Sequence, residues 1–272
     1  MERITTHGLT MPKLGLGTWP MRGAECTEAV LGALGRGYRH IDTAKMYGNE
    51  DAVGAALAQT PVPRADIHVT SKVWPDDLAP AAMRRSLESS LADLRTDYVD
   101  LFLIHWPRPE MNLPEALATL VRFKEEGLAR AIGVSNFNTA LLRRAVEEVG
   151  APIACNQVEY HVLLDQSKLL AYARTRQIVV TAYAPLARGA LTKHAALQRI
   201  AEKHSATLEQ VALKWLLDQD GVAAIPKASR AESQQTNLDS LKLTLDGDDR
   251  AVIAALPKHE RLVKPGWTMQ WD

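Results

Sequence analysis

Short apolar runs and amphipathic segments alternate along the chain from residue 14 to residue 238. That rhythm restricts it to folds in which parallel strands are joined by right-handed helical crossovers. Strands are expected at Leu14–Gly17, Tyr38–Ile41, Ile67–Ser71, Val99–Ile104, Ala131–Val134, Cys155–Glu159, Ile178–Ala182 and Val222–Ile225. Helices are expected at Cys26–Arg36, Glu50–Gln59, Ala81–Arg95, Leu113–Glu126, Ala140–Val149, Ser167–Arg176, His194–Ser205, Thr207–Leu217 and Arg230–Leu238, with a last one at Asp246–Ala255. In the third, Met83, Leu87, Leu91 and Leu94 share one stripe at helical spacing, as packing on a sheet requires. Thr207 with Gln210 three positions on has the form of a capping box. Ahead of the alternation, Ile4–Pro12 reads as a small hairpin turning at His7-Gly8, suited to capping one end of a barrel.

Eight strand–helix units in 272 residues agree with a single (β/α)8 TIM barrel, which takes about 250. No Gly/Ser-rich or Pro-rich linker interrupts them, so residues 1–272 are expected to form one domain. Formal net charge is zero and basic residues are scattered among acids, which argues against nucleic acid or acidic membranes as partners. The longest apolar stretch, around Leu101–Ile104, is too short to cross a bilayer. The opening Met-Glu-Arg-Ile-Thr-Thr-His-Gly lacks the apolar core of a signal peptide, so a cytoplasmic protein is expected. Cys26 and Cys155 sit in apolar surroundings without Cys-x-x-Cys spacing and read as buried thiols. The histidines outside the candidate site show no paired-ligand spacing, so no metal centre is expected.

Asp42, Tyr47, Lys72 and His105 each fall just past a strand-like run and ahead of a helical pattern. In a barrel, those strand ends open on the one face where active sites are built. A phenol is a weak acid near neutral pH, with a pKa of about 10, unless a cation stabilises its phenolate. Lys72 is the expected cation and Asp42 its partner, while His105 would orient a carbonyl oxygen against the Tyr47 hydroxyl. Taken singly, Asp42 reads as a helix cap, and Lys72 and His105 as surface or satisfied residues. The ordered set, with Tyr47-Gly-Asn-Glu50 inside it, favours a proton-donating site. Trp19, Trp74 and Trp106 also follow strands, where barrel-core positions favour branched aliphatics, and are read as walls of a substrate pocket.

The segments around these residues resemble the aldo-keto reductase family. The resemblance rests on Gly15-Leu-Gly-Thr-Trp19, Gly37-Tyr-Arg-His-Ile-Asp-Thr-Ala44, Ser71-Lys-Val-Trp74, Asp97-Tyr-Val-Asp-Leu-Phe-Leu-Ile-His-Trp-Pro107, Ile132-Gly-Val-Ser-Asn-Phe137, Asn156-Gln157, Tyr183-Ala-Pro-Leu186 and Ile225-Pro-Lys227, in order along nearly the whole chain. It implies a monomeric barrel that reduces aldehydes or ketones with a nicotinamide dinucleotide. Tyr47 would be the proton donor, Lys72 and Asp42 its tuning pair, and His105 the carbonyl's guide. Ser135, Asn136 and Gln157 match positions that hydrogen-bond the carboxamide, and Tyr183 matches the platform under the ring. Ser135-Asn136 also reads as a polar turn capping the helix that begins near Asn138. Thr18, Trp19, Asp42, Pro185 and Leu186 are placed along the cofactor as well.

At the adenosine end the chain departs from the family pattern, which has Pro-Lys-Ser and an arginine six residues after the lysine. Here Ala228 follows Lys227 and Ser233 holds the sixth position. Lys227, Ser229 and Arg230 remain as partners for a 2′-phosphate, and Asn237 matches an adenine contact. NADPH is favoured over NADH. Only Arg108–Asn112 separate Trp106-Pro107 from the next helix, and the tail carries just Trp267, Met269 and Trp271 as bulky apolar groups. These short segments resemble the bacterial 2,5-diketo-D-gluconate and methylglyoxal reductase branch. That implies a small polar or α-dicarbonyl substrate, with Trp19, Tyr47, Trp74, His105, Trp106 and Trp267 around it and the tail over the active-site face. A reductase of bulkier or aromatic carbonyls is the alternative. A non-catalytic cofactor-binding protein of the same fold is less favoured, because all four reactive positions are intact, and a hydrolytic barrel lacks the required spacing.

Overall fold

The computed structural model describes residues 2–267 and 269–272; Met1 and Thr268, inside the expected lead and tail, lie outside the described residues. The chain opens with the expected hairpin, β1 (Arg3–Thr6) paired antiparallel with β2 (Leu9–Pro12). His7 and Gly8 at its tip both have positive φ, as a tight turn matched to strand twist demands. Then come β3 (Leu16–Gly17), β4 (His40–Asp42), β5 (His68–Val73), β6 (Val99–Ile104), β7 (Ala129–Ser135), β8 (Ile153–Glu159), β9 (Val179–Tyr183) and β10 (Val222–Ala224). Each pairs in parallel with its sequence neighbours. Parallel bridges from Leu14 to Ala224 and from Gly17 to Lys227 join the two edges, so the sheet closes into the (β/α)8 barrel. Gly17 is needed at this seam, because a Cβ there would sit 2.6 Å from the Ile225 carbonyl oxygen.

The helices are α1 (Gly23–Gly35), α2 (Glu50–Gln59), α3 (Pro80–Leu94), α4 (Leu113–Glu125), α5 (Thr139–Arg143), α6 (Ser167–Thr175), α7 (Ala195–Lys203), α8 (Leu208–Leu217), α9 (Ala231–Asp239) and α10 (Gly247–Ala254). They agree with the expected intervals, with one difference in winding. After α5 the chain widens into π-type turns over Arg144–Glu148, so the expected single helix is not uniformly α. The Thr207–Gln210 capping box opens α8 as expected. Asn138, rather than Ser135 or Asn136, caps α5, its Oδ1 accepting the Leu141 amide proton.

β6 shows how the barrel distributes its apolar residues. All six of its residues are buried; Leu101 and Leu103 pack in the interior with Leu9 and Met11 of the hairpin, while Phe102 and Ile104 pack outward among the helices. The hairpin therefore plugs one end of the barrel. The opposite end collects the C-termini of the strands, and here two sequence expectations need correction. Asp42 and Lys72 lie within strands, Asp42 ending β4 and Lys72 one residue before the end of β5.

The tail runs across that same end. Leu262 and Val263 donate backbone N–H groups to Glu159 at the end of β8, and Trp267 Nε1 donates to the Pro107 carbonyl. Farther on, Asn138 Nδ2 donates to the Gln270 carbonyl, and Asp272 accepts from the backbone N–H and hydroxyl of Thr139.

Candidate active site

Tyr47 ends a short 3-10 turn, Lys45–Tyr47, which Gly48 terminates in the left-handed region at φ 60°. The next two residues hold this loop. Asn49 Oδ1 accepts from the Thr43 hydroxyl at 2.7 Å while its Nδ2 donates to the Met21 carbonyl at 2.9 Å. Glu50, buried, accepts from Ser71 and Ser90 at 2.5 and 2.9 Å. The Tyr-Gly-Asn-Glu segment is thus a clamp that aims the phenol back at the barrel mouth.

Lys72 Nζ donates to Asp42 Oδ1 at 2.6 Å, to the Thr43 carbonyl at 2.8 Å and to the Tyr47 hydroxyl at 3.3 Å. Both members of the ion pair are buried, so neither charge is tolerable without the other. Asp42 Oδ2 accepts from Gln157 Nε2 at 2.7 Å, which ties the pair to the opposite side of the barrel. Burial works against the charge on Lys72, yet Asp42 and the Tyr47 hydroxyl hold its ammonium above the ordinary lysine value. Tyr47 departs from the sequence expectation. Burial of its hydroxyl pushes the phenol above its usual value and outweighs the downward pull of Lys72, even though the ring itself is only partly buried. The phenol therefore stays protonated through neutral pH, the state a proton donor needs. Lys72 counts most as the proton leaves, when its charge faces a phenolate.

His105 stands over Tyr47, ring centroids 5.5 Å apart, with Trp74 edge-on at 5.3 Å. Burial, reinforced by the charge on Lys72, holds its imidazole well below the usual histidine range, so the ring is neutral. Its Nδ1 has no hydrogen-bond partner among the described residues.

Tyr47 and His105 share one cavity of about 570 Å³ with Asp42, Thr18, Trp19 and Trp106. Asn136, Gln157, Tyr183, Pro185, Leu186 and Lys227 continue the same cavity along the ends of β7 to β10. Other expected residues lie outside it. Lys72 sits beneath Tyr47, and Ser135 lies under Asn136, donating to the Gln157 carbonyl at 2.7 Å. Trp74 and Trp267 form an outer aromatic group with Trp106, with Arg108 stacked 3.9 Å over Trp267. Ser229 accepts from Lys227 Nζ at 2.9 Å on the surface, Arg230 precedes α9, and Asn237 is buried within α9. The cavity also includes residues the sequence reading passed over, among them Met46, Arg188 and Val263. Arg188 carried a signal in its position just after Tyr183-Ala-Pro-Leu186; Val263 carried none, because the tail's path is set by tertiary contacts.

The sequence profile of the Aldo/keto reductase family matches residues 13–258. The chain belongs to the aldo/keto reductase family. As such it is an oxidoreductase whose substrates are small carbonyl compounds, in a family that uses nicotinamide cofactors. Among similar proteins is methylglyoxal reductase DkgB of Escherichia coli O157:H7, 42% identical over 268 residues, covering 97% of this chain and 100% of that protein. A solved structure described as a putative 2,5-diketo-D-gluconic acid reductase B superposes with a TM-score of 0.96 at 38% identity, covering 100% of this chain and 98% of that one. The aldose reductase of Schistosoma japonicum gives a TM-score of 0.88 at 31% identity, covering 96% and 94%.

The polar and aromatic groups of the cavity fit a nicotinamide. Gln157 spends its Nε2 on Asp42, leaving its Oε1 without a hydrogen bond among the described residues. Asn136, at φ 63°, places its Oδ1 on the Tyr183 hydroxyl and its Nδ2 on the His105 carbonyl, which fixes both the Tyr183 ring and the strand end of His105. A polar acceptor beside a held aromatic ring suits an amide-bearing flat heterocycle.

Proposed function

We propose that this protein is an NADPH-dependent reductase of small polar or α-dicarbonyl compounds, of the methylglyoxal or 2,5-diketo-D-gluconate type, with Tyr47 as proton donor. The observation that carries this reading is the bond from Lys72 to the Tyr47 hydroxyl, made where Tyr47 and His105 line the same cavity. A reduced nicotinamide, when bound, supplies a hydride to the carbonyl carbon. The protein's part is to receive the charge that develops on oxygen. Tyr47 gives its proton to that oxygen, and the Lys72 ammonium stabilises the phenolate left behind. Asp42 keeps Lys72 charged in a buried position, and Gln157 keeps Asp42 turned toward it. Being neutral, the His105 ring has one N–H to hold the carbonyl oxygen without competing with Tyr47 as acid.

Ser135, Asn136 and Gln157 are assigned to the carboxamide, Tyr183 to the ring face, and Thr18, Trp19, Pro185 and Leu186 to the cofactor's flanks. Lys227, Ser229 and Arg230 are assigned to the 2′-phosphate, with Asn237 near the adenine. Two cations and a hydroxyl close together at the surface support NADPH over NADH despite Ala228 and Ser233. Purified protein with equal or better kcat/KM for NADH would overturn the preference. The short 108–112 loop, the tail over the strand ends and the similarity to methylglyoxal reductase DkgB support a small substrate. A carbonyl panel tests this, and turnover of bulky aromatic ketones with methylglyoxal and 2,5-diketo-D-gluconate both inert would overturn it.

In the same reading residues 1–272 act as one domain and a cytoplasmic monomer, without nucleic acid or membrane partners. Zero net charge supports it, and no helix among the described residues is long and apolar enough to cross a membrane. Light scattering on the eluting protein tests the monomer.

A further inference from the structure

Glu159 ends β8 on the active-site face and is fully buried, yet nothing in the mechanism above uses it. A buried carboxylate is costly unless hydrogen bonds satisfy it. Here the partners come chiefly from the tail. Leu262 N–H donates to Oε1 at 2.7 Å and Val263 N–H to Oε2 at 2.9 Å, so each oxygen holds one of two successive amides. His161 lies 3.1 Å from Oε1 through Nε2, and its Nδ1 accepts the Leu163 N–H at 3.3 Å. With Nδ1 accepting, Nε2 carries the proton and donates to Glu159. The Arg261 guanidinium adds charge at 3.9 Å from Oε2. Just upstream, backbone bonds from Asp165 to Lys258 and from Glu260 to Leu163 bring the tail to this point.

The held residue Val263 lines the cavity that contains Tyr47 and His105. Glu159 is not itself one of the residues lining that cavity and acts at one remove, through Val263. We propose that Glu159 is a positioning residue for carbonyl binding: by gripping the Leu262 and Val263 amides it makes Val263 a fixed wall of the substrate cavity. The tail is then a built part of the pocket beyond this point, and the substrate is fitted against a wall already in place. This rests on the carbonyl-reductase reading for its kinetic consequence, whereas the grip itself is independent of that reading.

The test compares wild type with Glu159→Gln, Glu159→Ala and Val263→Ala. Hydrogen exchange of the 262–263 amides reads the grip directly: Glu159→Gln, which keeps one acceptor, should speed exchange about tenfold, corresponding to about 1.4 kcal/mol, and Glu159→Ala more. Unchanged exchange overturns the proposal. Steady-state kinetics with methylglyoxal read the positioning. KM should rise several-fold in Glu159→Gln with kcat within about twofold, and the dissociation constant of NADPH from fluorescence quenching should be unmoved. A fall in kcat in proportion to folded fraction, with KM unchanged, would mean a structural role only and overturns it. Should Glu159 variants fail to fold, Val263→Ala, which leaves the grip intact, must still raise KM; an unchanged KM overturns the proposal. A wild type inert to every carbonyl while its 262–263 amides remain protected refutes the reductase reading and, with it, the positioning role.

Discussion

Replacing Asp42 by Asn isolates the ion pair on which the acid depends. The substitution preserves shape but leaves Lys72, wholly buried, without its counter-ion. Breaking a buried pair from one side costs about 3–5 kcal/mol, because the remaining charge stays desolvated. Lys72 would keep the Thr43 carbonyl at 2.8 Å and the Tyr47 hydroxyl at 3.3 Å, and the new amide can still accept a bond. That puts the loss near the low end, about 3 kcal/mol at neutral pH. In wild type the folded pKa of Lys72 is raised, so its contribution is fully present below about 10.4 and is lost only as pH climbs through the folded value. Without Asp42, burial is opposed only by Tyr47 and the Lys72 pKa falls, so the ammonium is lost at a lower pH than in wild type. Urea unfolding should show the stability loss, and kcat at neutral pH should fall by about 10²-fold or more, in the range expected for a compromised general acid. Activity of the variant should also recover as pH is lowered, while Lys72 regains its charge. A variant as stable and as active as wild type would refute the reasoning, since no other group among the described residues neutralises Lys72.

Burial lowers the His40 pKa from 6.5 to about 4, so the neutral ring stabilises the fold above about 6.5 and that contribution of about 3 kcal/mol is lost as pH falls toward 4. Urea unfolding across this window should show the loss, with a flatter profile in His40→Asn; a flat wild-type profile contradicts it. Burial pushes both free thiols, Cys26 and Cys155, up to about 12, so neither should react with a disulfide reagent in native protein at mild alkaline pH, while both should react in denaturant. Gly17→Ala forces a methyl against the Ile225 carbonyl at the barrel seam and should cost about 2 kcal/mol in thermal or urea unfolding; an unchanged midpoint would show that the seam has slack.

Regular features of the fold are legible because they repeat. The stripe Met83, Leu87, Leu91, Leu94 reports a helical period and the run of β6, apolar except for Asp100, reports a strand buried on both faces, and both are buried as those local patterns require. Asp42, Lys72 and His105 are legible for a different reason: each is anchored at or next to a strand end, so knowing the strands brings them together. Tyr47 joins them because the Tyr-Gly-Asn-Glu segment that aims it follows β4 in the same loop. Where the outcome depends on a balance of opposed effects, sequence alone misjudges it. Lys72 beside Tyr47 suggests a lowered phenol pKa, but the depth of the hydroxyl, a tertiary property, reverses the sign. The tail is the other instance. Trp267 reads as a pocket wall, yet it stacks with Arg108 and bonds Pro107 outside the cavity lining, while Val263, unremarkable in sequence, takes a place in that lining because Glu159 holds its backbone.

The central claim is that Tyr47 donates the proton. Consumption of reduced cofactor with methylglyoxal, followed by absorbance for wild type and Tyr47→Phe side by side, tests it most directly. The substitution removes one hydroxyl and leaves the Lys72–Asp42 pair intact, so cofactor should bind as before while kcat falls by about 10²–10⁴-fold. Equal rates for the two proteins, with both shown to bind cofactor, would remove Tyr47 from the mechanism.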